Sequence, residues 1–431
     1  MVESTNPRFS IGGLALLALA ACGGGSTTGA DTPPPPPPPP SPTVFTGRMI
    51  DDAVQGLHYA TTTNPANYPQ DFSRITGPNG EFSYSPGEFV AFRIGKLSIG
   101  NLSLATGIFT PSSMAANDTQ LQDILILLQS LDQDGNPRNG IVIPAAAADA
   151  FRDPANPITG QTYWSIPPAT FASSANTWLV NAQQLGGITT GIFSPAQATA
   201  NFLRQFLQLF ATKLWGTSDG STFILARSDT TGRYIMGQAG QAGPGELPGV
   251  EAGQIFSAGF DKLGWIWGKP TLTIDTNGEW GFSDVRSCDR IQVVGDSIKA
   301  IDCVGADGGT TAKMENDPAG IVGAWALGSA TNVQVLTFAF FKNGKFAVLD
   351  PTGSTATPSC GGPGVEFGSY TYDAATKILK VSNLRYDTNG CAGLSGTAAA
   401  TASGMTFTLG SGATTATYND GTARTVYRVS Q

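Results

Sequence analysis

Two short phrases recur in this chain in the same order and at a similar separation. Pro248-Gly249-Val250-Glu251-Ala252-Gly253 leads to Asp275-Thr276-Asn277-Gly278-Glu279-Trp280-Gly281-Phe282-Ser283, and Pro363-Gly364-Val365-Glu366-Phe367-Gly368 leads to Asp387-Thr388-Asn389-Gly390-Cys391-Ala392-Gly393-Leu394-Ser395. Two copies imply two tandem modules, starting near Trp215 and near Gly320. The shared residues are mostly Gly, Pro and Asn with one Glu, so what the repeat preserves is turn geometry rather than a reactive set. The matching position of Glu251 and Glu366 points to a structural hydrogen bond onto a turn backbone. Around the second copy, Val335 to Phe341, Lys345 to Val348, Gly368 to Tyr372 and Ile378 to Val381 read as short strands joined by tight turns such as Asn343-Gly344. That pattern predicts an antiparallel barrel or meander, which also removes exposed sheet edges.

Ahead of these modules the chain changes character several times. The apolar run Ile11 to Ala21 ends in Leu19-Ala20-Ala21-Cys22, followed by Gly23-Gly24-Gly25-Ser26. It is too short for a permanent membrane span and reads as an export signal. A Cys directly after the cut site resembles the lipobox of bacterial lipoproteins. The resemblance implies that Cys22 is diacylated and becomes the mature N-terminus, attaching the chain to a bilayer through its acyl chains. Gly23 stands where an inner-membrane retention signal would place Asp, so the resemblance implies the outer membrane, facing the periplasm or the cell surface. Eight prolines, Pro33 to Pro40, then form a semi-rigid polyproline stalk, and a ligand for a proline-binding domain is the other reading of that tract.

Residues 43–103 alternate in the manner of half-buried strands, and Gly80 to Gly95 predicts a hairpin across Pro86-Gly87. The phrases Thr46-Gly47-Arg48-Met49-Ile50-Asp51, Gly56-Leu57-His58-Tyr59-Ala60 and Pro78-Asn79-Gly80-Glu81-Phe82 resemble the β-sandwich modules of bacterial surface proteins, related in style to carboxypeptidase regulatory-like domains. Leu121, Ile124, Leu125, Leu127, Leu128 and Leu131 then fall at helical spacing, as do Phe202, Leu203, Phe206, Leu207, Phe210 and Leu214. Leu127 to Ile141 resembles a helix-then-loop phrase of bacterial surface lipoproteins. Gly323-Ala324-Trp325, with Arg428 near the C-terminus, resembles the lipocalin and calycin arrangement, in which a tryptophan closes one barrel end and an arginine packs across it.

The expected fold is therefore multidomain and mainly β. Its segments are a signal peptide (1–21), a lipidated Cys and Pro-rich stalk (22–42), a β-sandwich-like module (43–103), a helical region (104–212) and two tandem β-barrel-like repeats (213–317 and 318–431).

Few residues offer chemistry. Cys288 and Cys303 flank a Gly295-Asp296 turn and would lie opposite one another on paired strands. If Glu366 to Tyr372 folds back on Lys377 to Asn383, Cys360 approaches Cys391. Two disulfides in an oxidising compartment are the expectation, with free thiols or a metal site as alternatives. Asp132, Asp134 and Asn136 have the alternate spacing of calcium loops, although Pro137 replaces the usual Gly and no Glu follows at the twelfth position. The same residues also make an ordinary helix-ending turn. No other cofactor is implied.

Gly216-Thr217-Ser218-Asp219-Gly220 matches G-x-S-x-G, but a helical stripe precedes it and Thr222 to Ala226 is strand-like, the reverse of a nucleophile elbow. His58 is the sole histidine. The formal net charge of -8, with charged residues at 13%, argues against nucleic acid as a partner. The sequence thus reads as a non-enzymatic, membrane-anchored lipoprotein presenting β modules for adhesion or small-ligand binding. The alternative is a hydrolase acting on a surface polymer or glycan through a carboxylate pair.

Overall fold

Short alternating runs give strands from Phe45 onward in the computed structural model, which describes residues 43–431 apart from 69–71, 103–106, 153–167, 211–212, 218–221, 227–231, 240–246, 279–280, 284–287, 295, 304–310, 354–360, 391–392, 397–401, 420 and 430–431. Thr43–Gln431 forms one compact, mainly β unit. Its first strands are β1 (Phe45–Met49), β2 (Val54–Gln55), β3 (His58–Thr62), β4 (Arg74–Ile75), β5 (Glu81–Tyr84), β6 (Phe89–Ile94), β7 (Leu97–Leu102), β8 (Ile108–Phe109) and, further on, β9 (Ile141–Val142). They build two sheets, ordered β5-β1-β8 and β4-β3-β6-β7, plus a parallel β2-β9 pair. Met49, Phe82, Tyr84 and Phe109 of the first sheet share one core with Tyr59, Phe92 and Ile94 of the second. Phe82 meets Phe92 edge to face at 5.2 Å, a favoured aromatic geometry.

The expected hairpin across Pro86-Gly87 is not formed. β5 pairs with β1, whereas β6 pairs with β3 and β7, so this turn carries the chain from one sheet to the other. Alternation identifies a half-buried strand but carries no information about its pairing partner.

The helices are α1 (Pro111–Met114), α2 (Asp118–Ser130), α3 (Ala145–Ala150), α4 (Pro168–Gly186) and α5 (Pro195–Phe210). Asn117 Oδ1 accepts the Gln120 amide to cap α2. Ser194 and Gln197 make a reciprocal capping box ahead of Pro195 at the start of α5. The α2 stripe of Leu121, Ile124, Leu125 and Leu128 enters the core of the sandwich, so there is no break in packing near residue 103. Helix α5 spans two cores: Ala198 and Phe202 join the first, and Phe206 and Phe210 join the next. Leu214, expected on that helical stripe, instead sits in the following strand opposite Leu225.

That strand opens the first repeat: β10 (Lys213–Gly216), β11 (Thr222–Ala226), β12 (Arg233–Gln238), β13 (Gly249–Gln254), β14 (Ser257–Asp261), β15 (Gly264–Trp267), β16 (Thr271–Asp275), β17 (Cys288–Val294), β18 (Ser297–Cys303) and β19 (Thr311–Met314). The second contains β20 (Gly323–Leu327), β21 (Thr337–Phe340), β22 (Lys345–Asp350), β23 (Gly364–Asp373), β24 (Ile378–Asp387), β25 (Met405–Leu409), β26 (Thr415–Asn419) and β27 (Ala423–Arg428). β20 to β27 close into an antiparallel barrel in chain order.

The first repeat has ten strands ordered β14-β15-β17-β18-β19-β10-β11-β12-β13-β16. This is the same ring with its fourth and fifth strands interrupted. β13 pairs with β16 and β14 with β15, while Gly268 N donates to Phe256 O at 2.7 Å across the break. β13 plus β14 therefore correspond to β23, and β15 plus β16 to β24. Both hairpins carry a register irregularity at the matching place, Ala252/Gly253 and Phe367/Ser369.

Eight strands enclose a space that side chains can fill, and here they do. Trp325, Phe338, Phe340, Phe346, Phe407 and Tyr418 occupy the interior of the second barrel. Trp215, Tyr234, Trp265 and Ile291 do so in the first, with Phe206 and Phe210 of α5 added. The outward alternates Ala324, Ala326, Ala339, Ala347, Val365 and Phe367 are also buried, because they pack with Leu214, Ile235, Val250 and Ala252 of the first repeat. Val250 and Val365 occupy equivalent positions, so the duplicated modules meet partly through the same face.

Candidate functional sites

At the repeated phrases, strand alternation points Glu251 and Glu366 away from that shared face and toward the two barrel interiors. Both are fully buried. Glu366 accepts the amides of Leu394 (3.2 Å) and Ser395 (3.0 and 3.1 Å) and the Ser395 hydroxyl (2.9 Å). Glu251 accepts the amides of Phe282 (3.2 Å) and Ser283 (3.3 Å), the Ser283 hydroxyl (2.6 Å) and, in addition, the Tyr234 phenol. Phe346 holds the position equivalent to Tyr234, so the second copy has no phenol to donate.

Each Glu thereby holds the loop that begins with Asp-Thr-Asn-Gly. Thr276 and Thr388 lock the start of that loop by accepting the amides of Val250 (2.8 Å) and Val365 (2.9 Å). Phe282 and Leu394 are then driven into the two barrel cores. The glycine of each loop is needed for both reasons available to glycine. Gly281 and Gly393 have φ of 112° and 108°, and a Cβ on either would sit 2.3 Å from Oε2 of the clamping glutamate.

A second acid adjoins each clamp. Asp275 Oδ2 is 3.2 Å from the Ser283 hydroxyl, and Asp387 Oδ2 is 3.4 Å from that of Ser395. The result is a Glu-Ser-Asp trio in duplicate. Its glutamates are sealed from solvent and saturated by backbone donors, which is the environment of a loop anchor rather than of a substrate cleft. Burial pushes the Glu366 carboxyl up to about 7 despite its donors, and burial raises Glu251 as well.

Trp325 and Arg428 lie opposite one another on β20 and β27. The indole donates to Ile321 O at 2.8 Å, and the guanidinium carbon lies 4.2 Å from the ring centroid. Arg428 also donates to the carbonyls of Ala413 (2.7 Å), Val322 (2.9 Å) and Gly320, and to Asn316 Oδ1 (3.2 Å). Trp215 similarly donates to Phe210 O at 2.9 Å, but its strand partner is Met314. One barrel end is thus tied by an arginine and the other by helix α5.

The calcium-like residues surround a tight loop after α2. Asp132 Oδ1 accepts the Val142 amide (2.9 Å), while Asp134 accepts the Asn136 amide (2.9 Å) and the Asn139 side chain (2.8 Å). Asp132 is buried, and its Oδ2 has no hydrogen-bond partner. Burial, together with the neighbouring Asp134, pushes its carboxyl up to about 6.

Cys22, Cys360 and Cys391 lie outside the described residues. The backbones of Cys288 and Cys303 are directly paired across β17 and β18, and their side chains lie outside the described set. Ser218 to Gly220 of the G-x-S-x-G phrase also lie outside it. What precedes that phrase is strand β10 rather than a helix, and strand β11 follows, so the strand-then-helix setting of a nucleophile elbow is not met. His58 lies in β3 beside Arg152, and its pKa is lowered by burial first and then by that charge.

Sequence reasoning missed one buried polar cluster. Gln129 Nε2 donates to both oxygens of Asp51 (3.1 and 3.3 Å) and to Ala198 O (3.0 Å), while Asn201 donates to Gln129 Oε1 (3.1 Å). Beside it, Arg204 pairs with Asp52 at 2.7 Å. Burial pushes the Asp51 carboxyl well above its ordinary range. The cluster joins the turn after β1 to α2 and α5, and its only sequence trace is an Asp-Asp pair of ordinary turn composition.

No family model, curated protein or solved structure matches the chain. Among the described residues no helix is long and apolar enough to cross a membrane.

Proposed function

We propose that this chain is an exported, non-enzymatic lipoprotein anchored at the outer membrane through Cys22. In this reading the proline stalk holds a rigid array of β modules off the bilayer, and the modules serve adhesion through their outer surfaces. The observation that carries it is the filling of both barrels. Aromatic side chains occupy the interiors where a carrier of the lipocalin type would keep a ligand cavity. The repeated motif is likewise spent on anchoring loops, and its two glutamates are sealed from solvent and saturated by loop donors, which favours scaffold over hydrolase.

Metabolic labelling with a palmitate analogue tests the anchor: label is expected in the wild-type chain and lost in Cys22→Ser. Equal labelling of the two would overturn it. The scaffold role is tested on the same wild-type chain by titration with a fluorescent fatty acid, for which no saturable binding is expected. Stoichiometric uptake would restore the small-ligand reading.

A further inference from the structure

Each repeated clamp places one serine hydroxyl between two carboxylates. Ser395 Oγ lies 2.9 Å from Glu366 Oε2 and 3.4 Å from Asp387 Oδ2, and in the first repeat Ser283 Oγ lies 2.6 Å from Glu251 Oε2 and 3.2 Å from Asp275 Oδ2. A hydroxyl has a single hydrogen to donate, so it can satisfy only one of its two acidic neighbours. With both carboxyls ionised, the other carboxylate oxygen faces a lone pair of the serine. One added proton removes the conflict. The protonated Glu366 Oε2 then donates to Ser395 Oγ, whose own hydrogen turns to Asp387 Oδ2.

The two acids of each trio differ in their access to water. Glu366 and Glu251 are fully buried, whereas Asp387 and Asp275 are exposed. Burial favours the neutral form, so the proton belongs on the glutamate. The charge acting on Glu366 is that of Asp387, and the charge acting on Glu251 is that of Asp275, both of like sign. The Tyr234 phenol also faces Glu251, and burial keeps it neutral. None of the four carboxylates is in an ion pair among the described residues. The serine gives the buried acid a route to solvent: as Glu366 passes its proton to Ser395 Oγ, the serine hydrogen moves to Asp387, and from there to water. The same geometry recurs in two rings whose strands are otherwise arranged differently, which marks it as a property of the repeat.

We propose that each Glu-Ser-Asp trio binds one proton, shared through its serine, and so tightens its hold on the repeated loop as the surroundings acidify. Release of that proton leaves two like charges around one hydrogen. The grip on Leu394 and Ser395, or on Phe282 and Ser283, weakens with it. The two trios are not set alike. Tyr234 donates a further hydrogen bond to Glu251, which favours the charged form, and Phe346 supplies none to Glu366. The first trio therefore releases its proton at lower pH than the second. Burial, which lifts the Glu366 carboxyl to about 7, sets the second change near neutral pH.

Amide hydrogen exchange on the full chain, expressed as protection so that the intrinsic chemical rate cancels, reads each loop separately. Protection of Leu394 and Ser395 is expected to fall by up to about 100-fold between about pH 5 and 8, and that of Phe282 and Ser283 to fall at lower pH. Asp387→Asn removes the neighbouring charge at an exposed position and should move the Leu394 and Ser395 change to lower pH. Phe346→Tyr copies the first repeat and should act in the same direction, while Tyr234→Phe should move the Phe282 and Ser283 change to higher pH. Protection that is flat in pH, or that rises with it, overturns the proposal. So does protection lowered equally at every pH in Asp387→Asn with its midpoint unmoved, the signature of a residue that only supports the loop.

Discussion

Replacing the clamp glutamate of the second barrel should change stability by an amount that depends on pH in a stated direction. In the folded chain Glu366 has a pKa of about 7, against 4.5 for the free side chain. Between these values the folded state holds a proton that the unfolded chain has released, so stability falls as pH rises through the window. Carrying this carboxyl from 4.5 to about 7 corresponds to about 3 kcal/mol, lost completely above about pH 8.

Glu366→Gln removes this dependence while keeping one oxygen to accept the Leu394 and Ser395 amides. The stability of the wild-type chain minus that of Glu366→Gln should therefore fall by up to about 3 kcal/mol between pH 4.5 and 8. Taking this difference cancels the contribution of Glu251, whose pKa is also raised and which is present in both chains. Glu366→Ala strands the two amides and the Ser395 hydroxyl and leaves a cavity, and should cost about 3 to 5 kcal/mol at pH 5. Urea unfolding followed by tryptophan fluorescence across this pH range measures all three proteins. A difference that is flat in pH, or that grows as pH rises, would refute burial as the dominant influence on Glu366. An alanine variant within 1 kcal/mol of wild type would refute the clamp itself.

Two other perturbations test the barrels. Arg428→Met copies the arrangement beside Trp215 but strands the carbonyls of Gly320, Val322 and Ala413, and should cost about 2 to 4 kcal/mol in urea unfolding. Ala347→Asp buries a charge in the apolar face between the repeats, and should split one unfolding transition into two in calorimetry while leaving each barrel folded.

The mainly β class, the helical stripe of α2 and the turn-forming nature of the repeat were legible in the sequence because each depends on local periodicity or on glycine. Of the three hairpin-like readings, those across Gly295-Asp296 and Asp373 to Thr376 held and that across Pro86-Gly87 did not, for a physical reason. Around Asp373 to Ile378 the strands do fold back on each other, since a short polar turn leaves no alternative. Around Pro86-Gly87 they do not, because strands in a sandwich can pair within either sheet and the core shared by both decides. Leu214 illustrates the same limit. An apolar residue at helical spacing was equally suited to a strand, and its pairing with Leu225 placed it in one.

By itself, then, the sequence determined that two modules exist, where their tight turns lie, and that Glu251 and Glu366 act alike in them, because duplication and backbone conformation are written in residue identity. Only the tertiary structure decided that the barrels are filled and meet through a shared face, that the first ring is interrupted at Ile255 to Phe256, and that Asp51 is buried against Gln129. These depend on contacts between residues distant in the chain, where burial and hydrogen bonding are settled by the partner rather than by the residue.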